Sequence, residues 1–172
     1  MQQLCLTGAH AAALADRLFS ALNVRPVGLR VSPFSVDGEV RGQALHMLPP
    51  PAPPLYNGLP CQVSLGDGRS VIVPRVLEEV AAPTLIAALR MHAPVLLSGL
   101  SSELLACPVF RQAVRQCLAS TQPVVVAADA SAAPVLRSLV PPQGLICYAV
   151  PEDEPGQAAL LADLIPEAAL RF

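Results

Sequence analysis

Gln3-Leu4-Cys5-Leu6-Thr7-Gly8-Ala9-His10-Ala11-Ala12-Ala13-Leu14-Ala15-Asp16 is the stretch that decides how this chain is read. Gln3 to Leu6 reads as a short apolar strand, Thr7-Gly8 as a turn, and His10 to Leu22 as a helix. Outward from it, Arg25-Pro26 ends the helical element. Val27 to Val31 and Glu39 to Leu45 read as strands of a hairpin turning at Ser35-Val36-Asp37-Gly38. A second hairpin joins Cys61 to Leu65 with Ser70 to Val73 around Gly66-Asp67-Gly68. Prolines 49, 50, 51, 53 and 54 make residues 49–60 a stiff, non-helical loop.

From Arg75 the period changes from two to three or four. Val76, Leu77, Val80, Leu85, Ile86 and Leu89 recur at helical spacing, with Pro83 kinking or dividing the helix. Strands are expected at Val95 to Ser98, Val124 to Ala127 and Leu145 to Val150. Helices are expected at Val109 to Leu118, Ala133 to Leu139 and Gln157 to Ile165. This alternation implies right-handed crossovers and one α/β domain over residues 1–172, a three-layer, mostly parallel sheet with helices on both faces and hairpins inserted early.

The opening strand, turn and helix stand where a phosphate-binding loop would follow G-x-x-x-x-G-K-[ST]. Its glycines let backbone N–H groups wrap the phosphates, and its lysine reaches the terminal oxygens. Thr7, Gly8, Ala9, His10, Ala11, Ala12 and Ala13 are therefore candidate ligand contacts. Ala13 replaces the second glycine, Leu14 the lysine and Ala15 the hydroxyl residue. All eleven basic residues of the chain are arginine. Alanine favours helix over the left-handed conformations of such a loop, so Ala9 to Ala13 is expected to extend the helix toward Thr7 and narrow the cradle. A helix N-terminus still offers free N–H groups to an anion.

Composition narrows the remaining classes. A net charge of −2 gives no basic surface for nucleic acid or an anionic membrane, and two Tyr, four Phe and no Trp leave little for base stacking. The hydrophobic fraction of 53% and mean hydropathy of +0.51 are high, but no apolar run reaches the ~18 residues that cross a bilayer. Cys5, Cys61, Cys107, Cys117 and Cys147 are odd in number and widely spaced, so they read as buried free thiols in a reducing cytoplasm. His46 and His92 lack partners at metal-ligand spacing, and Ser98 lacks the G-x-S-x-G frame of a nucleophile turn. Asp129 follows a buried strand at its carboxyl end, where open α/β sheets bind ligands, and capping of the next helix accounts for it equally well.

The framework phrases resemble the small P-loop nucleoside-triphosphatase family, of the cancer-related nucleoside-triphosphatase type, over nearly the whole chain. They are Leu4-Cys5-Leu6-Thr7-Gly8, Val27-Gly28-Leu29-Arg30, Gly38 to Leu45, Val71 to Val80, Val95 to Leu100 continuing through Glu103-Leu104 to Val114, and Pro123-Val124-Val125-Val126. The resemblance implies hydrolysis of ATP or GTP to the diphosphate with Mg²⁺. It also implies an Asp-Glu pair after the strand ending at Leu97, the Asp for magnesium and the Glu for water; Ser98 and Gly99 stand there. The expectation is a pseudoenzyme, catalytically inactive and nucleotide-binding-like, or a regulatory or assembly protein, with a nucleotide, a second copy or another protein as partner. One alternative is an active hydrolase that recruits Arg17, Arg30, Arg75 or Arg111. The other is a structural subunit without nucleotide.

Overall fold

Two runs with no polar interruption, Val95-Leu96-Leu97 and Val124-Val125-Val126, need cover on both faces and so take the middle of a sheet. The computed structural model describes residues 2–51 and 58–172. Its strands are β1 (Gln3–Thr7), β2 (Val27–Val36), β3 (Glu39–Leu48), β4 (Leu59–Ser64), β5 (Ser70–Ile72), β6 (Val95–Leu100), β7 (Val124–Ala128) and β8 (Leu145–Ala149). They form one sheet in the order β5-β4-β3-β2-β6-β7-β1-β8. Strands β2, β6, β7, β1 and β8 run parallel, while β3, β4 and β5 extend the sheet as antiparallel hairpins.

The helices are α1 (Ala11–Ala21), α2 (Pro74–Val76), α3 (Ala82–Ala88), α4 (Pro108–Leu118), α5 (Ala133–Ser138) and α6 (Glu154–Ala169). Alternation along the central strands splits the core in two. Leu4, Leu6, Leu96, Val125 and Ala127 face α1 and α6, where Leu14, Leu18, Leu164 and Ala168 meet them. Cys5, Val95, Leu97, Val124 and Val126 face the other layer, which Leu85, Phe110, Val114 and Leu136 cover. The mostly parallel three-layer α/β sheet expected from the alternation is therefore the observed one.

Several boundaries move for local reasons. The first hairpin turns at Asp37-Gly38, both at positive φ (52° and 82°), and its strands run longer than expected. Pro83 divides the helix through a π-turn over Leu77–Ala81. There the Ala82 N–H reaches back to the Leu77 carbonyl, and Pro83 has no N–H to offer the turn. The last helix begins before Gln157, because the Asp153 carboxylate accepts the Gly156 N–H at 2.7 Å. It continues past Ile165 through Pro166 to Ala169. Within the expected loop at 49–60, Leu59 and Pro60 open β4, and residues 52–57 lie outside the described residues.

Candidate functional site

The connection between β1 and α1 is fixed from both sides. The Val150 N–H donates to the Thr7 carbonyl at 2.8 Å, and the Gly8 N–H donates to the Ala128 carbonyl at 3.0 Å. Gly8 has φ +118°, a conformation that ends any helix running backward along the chain. The Ala11 N–H then closes on the Gly8 carbonyl at 3.1 Å and the helix starts. The expected extension toward Thr7 is thus corrected: Ala11, Ala12 and Ala13 are helical, but Gly8, Ala9 and His10 form the turn. His10 occupies the N-cap position without a side-chain cap and is exposed. Leu14 and Ala15, at the lysine and hydroxyl positions of the loop motif, are buried in the core between α1 and the sheet.

A cleft of about 400 Å³ opens at the carboxyl ends of β1, β6 and β7. Gly8, Ala9, Ala11 and Ala12 form one wall. The segments after β6 and β7 form the second, with Ser101, Ser102, Glu103, Asp129 and Ser131. Gln43 and Gln62, paired in register on β3 and β4, come from the hairpin side. The second wall is internally braced. The Ser131 hydroxyl donates to Asp129 Oδ1 at 2.6 Å and lies 2.9 Å from Ser102 Oγ. Asp129 Oδ1 also accepts the Ala132 N–H at 2.9 Å. Glu103 accepts hydrogen bonds from the Gln62 amide and, at 3.3 Å, from the Ser70 hydroxyl. Among the described residues the cleft lining holds two carboxylates, Glu103 and Asp129, and no basic side chain.

The end of β6 is irregular. Pairing with β7 slips between Ser98 and Leu100, and Gly99 bulges there with φ +78°. Ser98 is 1% exposed, and its Oγ has no hydrogen-bond partner among the described residues. Ser98 lies in register with Arg30 of β2, whose guanidinium pairs with Asp16 of α1. Two further arginines named above are elsewhere: Arg75 pairs with Glu79 at 2.9 Å, and Arg111 is exposed on α4.

The fold matches solved structures along nearly the full chain. THEP1 from the hyperthermophile Aquifex aeolicus superposes with a TM-score of 0.73, covering 97% of this chain and 98% of that one, at 15% identity. A human cancer-related nucleoside triphosphatase superposes at 0.69, covering 98% and 97%, at 16% identity. The fold is that of a small P-loop nucleoside triphosphatase. No protein-family model matches the chain, and no curated protein matches its sequence.

Within this P-loop fold the structure brings together Gly8, Ala9, Ala11, Ala12 and Asp129. Thr7, His10 and Ala13 are not among the lining residues. Glu103, Ser101, Ser102 and Ser131 escaped the sequence reading, although the first three directly follow the strand ending at Leu100, on the edge where such sheets bind ligands. Gln43 and Gln62 carried no comparable signal, since only the hairpin register delivers them. The thiols are as expected: all five cysteines are free, four of them buried. Burial pushes the Cys61 thiol up to about 11 and the Cys117 thiol to about 12. Among the described residues no three metal-ligating side chains cluster, and no helix is long and apolar enough to cross a membrane.

Proposed function

We propose that this chain is a binding protein without hydrolytic activity, built on the P-loop fold and acting in regulation or assembly. The observation that carries this reading is the charge of the cleft: two carboxylates and no basic side chain among the described residues. Phosphoryl transfer depends on cations that neutralise charge developing on the phosphate. Each exposed carboxylate of the cleft repels a phosphate of like charge, most strongly at low salt. The first turn of α1 offsets this with only about half a positive charge.

Magnesium fits poorly. The hydroxyl position is Ala15, buried in the core, and the carboxylate position is Ser98, whose Oγ is buried. Glu103 and Asp129 are the two carboxylates of the cleft, and among the described residues no three metal-ligating side chains cluster. No reaction step is therefore assigned to a metal. The arginine-assisted reading loses support for a similar reason: Arg30 is engaged by Asp16, and no arginine lines the cleft. Purified protein incubated with ATP or GTP and Mg²⁺ is expected to release phosphate no faster than buffer alone. Multiple turnovers by the wild-type chain would overturn the reading.

A further inference from the structure

The cleft has side chains that hold hydroxyls and, among the described residues, no basic side chain to hold phosphates. Ser101, Ser102 and Ser131 donate or accept, Gln43 and Gln62 carry amides, and the carboxylates of Glu103 and Asp129 accept from a diol. Small side chains at Gly8, Ala9, Ala12 and Ala127 leave the opposite wall free of protruding groups. The volume of about 400 Å³ lies within the range of small-molecule sites. The two carboxylates are also fixed. Glu103 is tied to β4 and β5 through Gln62 and Ser70, and Asp129 is tied to Ser131 and the start of α5.

We infer that the cleft takes an uncharged, hydroxyl-bearing ligand of nucleoside size and discriminates against its phosphorylated forms. This rests on the reading of the cleft as a binding site, and it reverses the preference expected of a phosphate cradle. Each added phosphate brings negative charge toward Glu103 and Asp129, and like-charge juxtaposition disfavours the wrong ligand. The N–H groups at the start of α1 attract an anion with roughly half a unit of charge, less than the two opposing carboxylates supply.

Titration calorimetry of the full chain tests this, using adenosine, guanosine and their mono-, di- and triphosphates at low salt with a chelator present. The nucleoside is expected to bind, with affinity falling about fivefold or more at the first phosphate and further at each later one. The gap is expected to narrow in 0.5 M salt, because exposed charges are screened. In Glu103→Gln, which keeps the side-chain size at an exposed position, the nucleoside-to-monophosphate ratio should shrink about threefold. Tighter binding of a nucleotide than of its nucleoside overturns the inference, as does failure of every probe to bind. Phosphate release by the wild-type chain sinks the non-hydrolysing reading instead, so the two failures are told apart.

Discussion

Gly99 and Val31 stand closer than any side chain permits: a Cβ on Gly99 would lie 2.0 Å from the Val31 carbonyl oxygen. Gly99 also has φ +78°, so both space and backbone conformation demand glycine. The position where the resemblance places a water-activating glutamate is thus occupied by a bulge that admits no side chain.

Gly99→Ala is therefore expected to lose about 2–4 kcal/mol of stability, from left-handed strain plus overpacking against β2. Urea denaturation followed by circular dichroism measures it, and a loss below ~1 kcal/mol would show that the bulge relaxes freely. Gly99→Glu should be no more stable and should release no phosphate from ATP. Restoring the missing carboxylate at that position collides with the scaffold before it can act.

The lysine position behaves differently. Leu14 is 1% exposed and packs between α1 and the sheet, so Leu14→Lys places an ammonium among Leu6, Leu18 and Leu96. A loss of about 3 kcal/mol or more is expected, because burying the ammonium and overpacking the site both cost stability. If the melting temperature instead stayed within a few degrees of wild type, the side chain would have to reach the cleft from its present backbone.

Much of this was legible in the sequence because it depends on local periodicity. The unbroken runs at Val95 and Val124 set the parallel centre, and Asp37-Gly38 set the first hairpin turn. The start of α1 was not legible. Alanine propensity favours helix from Ala9, whereas the positive φ of Gly8 and its bond to Ala128 are tertiary facts that override it. The site was half legible: Asp129 follows from strand polarity, but the pairing of Gln43 with Gln62 follows only from register. Chain position gave no warning that Gln62 on β4 would hold Glu103.

Asp129 has a structural role separable from any ligand. Its Oδ1 accepts from the Ser131 hydroxyl and the Ala132 N–H, ordering the entry to α5. Asp129→Ala is expected to cost about 1 kcal/mol, as loss of a hydrogen bond that braces the turn before α5 does, while Asp129→Asn keeps most of it. Differential scanning calorimetry on the two variants distinguishes them. Equal melting temperatures for alanine and asparagine would remove the turn-bracing role.

Alkaline pH should destabilise the fold through its thiols. From an ordinary value of 9.0, burial raises Cys61 to about 11 and Cys117 to about 12. Burial, reinforced by neighbouring Cys147, pushes Cys5 higher still. Between pH 9 and 11 the unfolded chain has released these protons and the folded chain retains them. The unfolded state then binds fewer protons, so stability, complete below pH 9, falls as pH rises, by up to ~1.4 kcal/mol per pH unit for each thiol. The chain has no lysine to add a competing titration, and Tyr148, raised by burial and then by Glu167, acts in the same direction. Urea midpoints taken under reductant at pH 8, 9 and 10 should fall progressively, with a shallower slope in Cys117→Ala. A midpoint that stays level to pH 10 would mean that these thiols ionise in the folded state as readily as in the unfolded one.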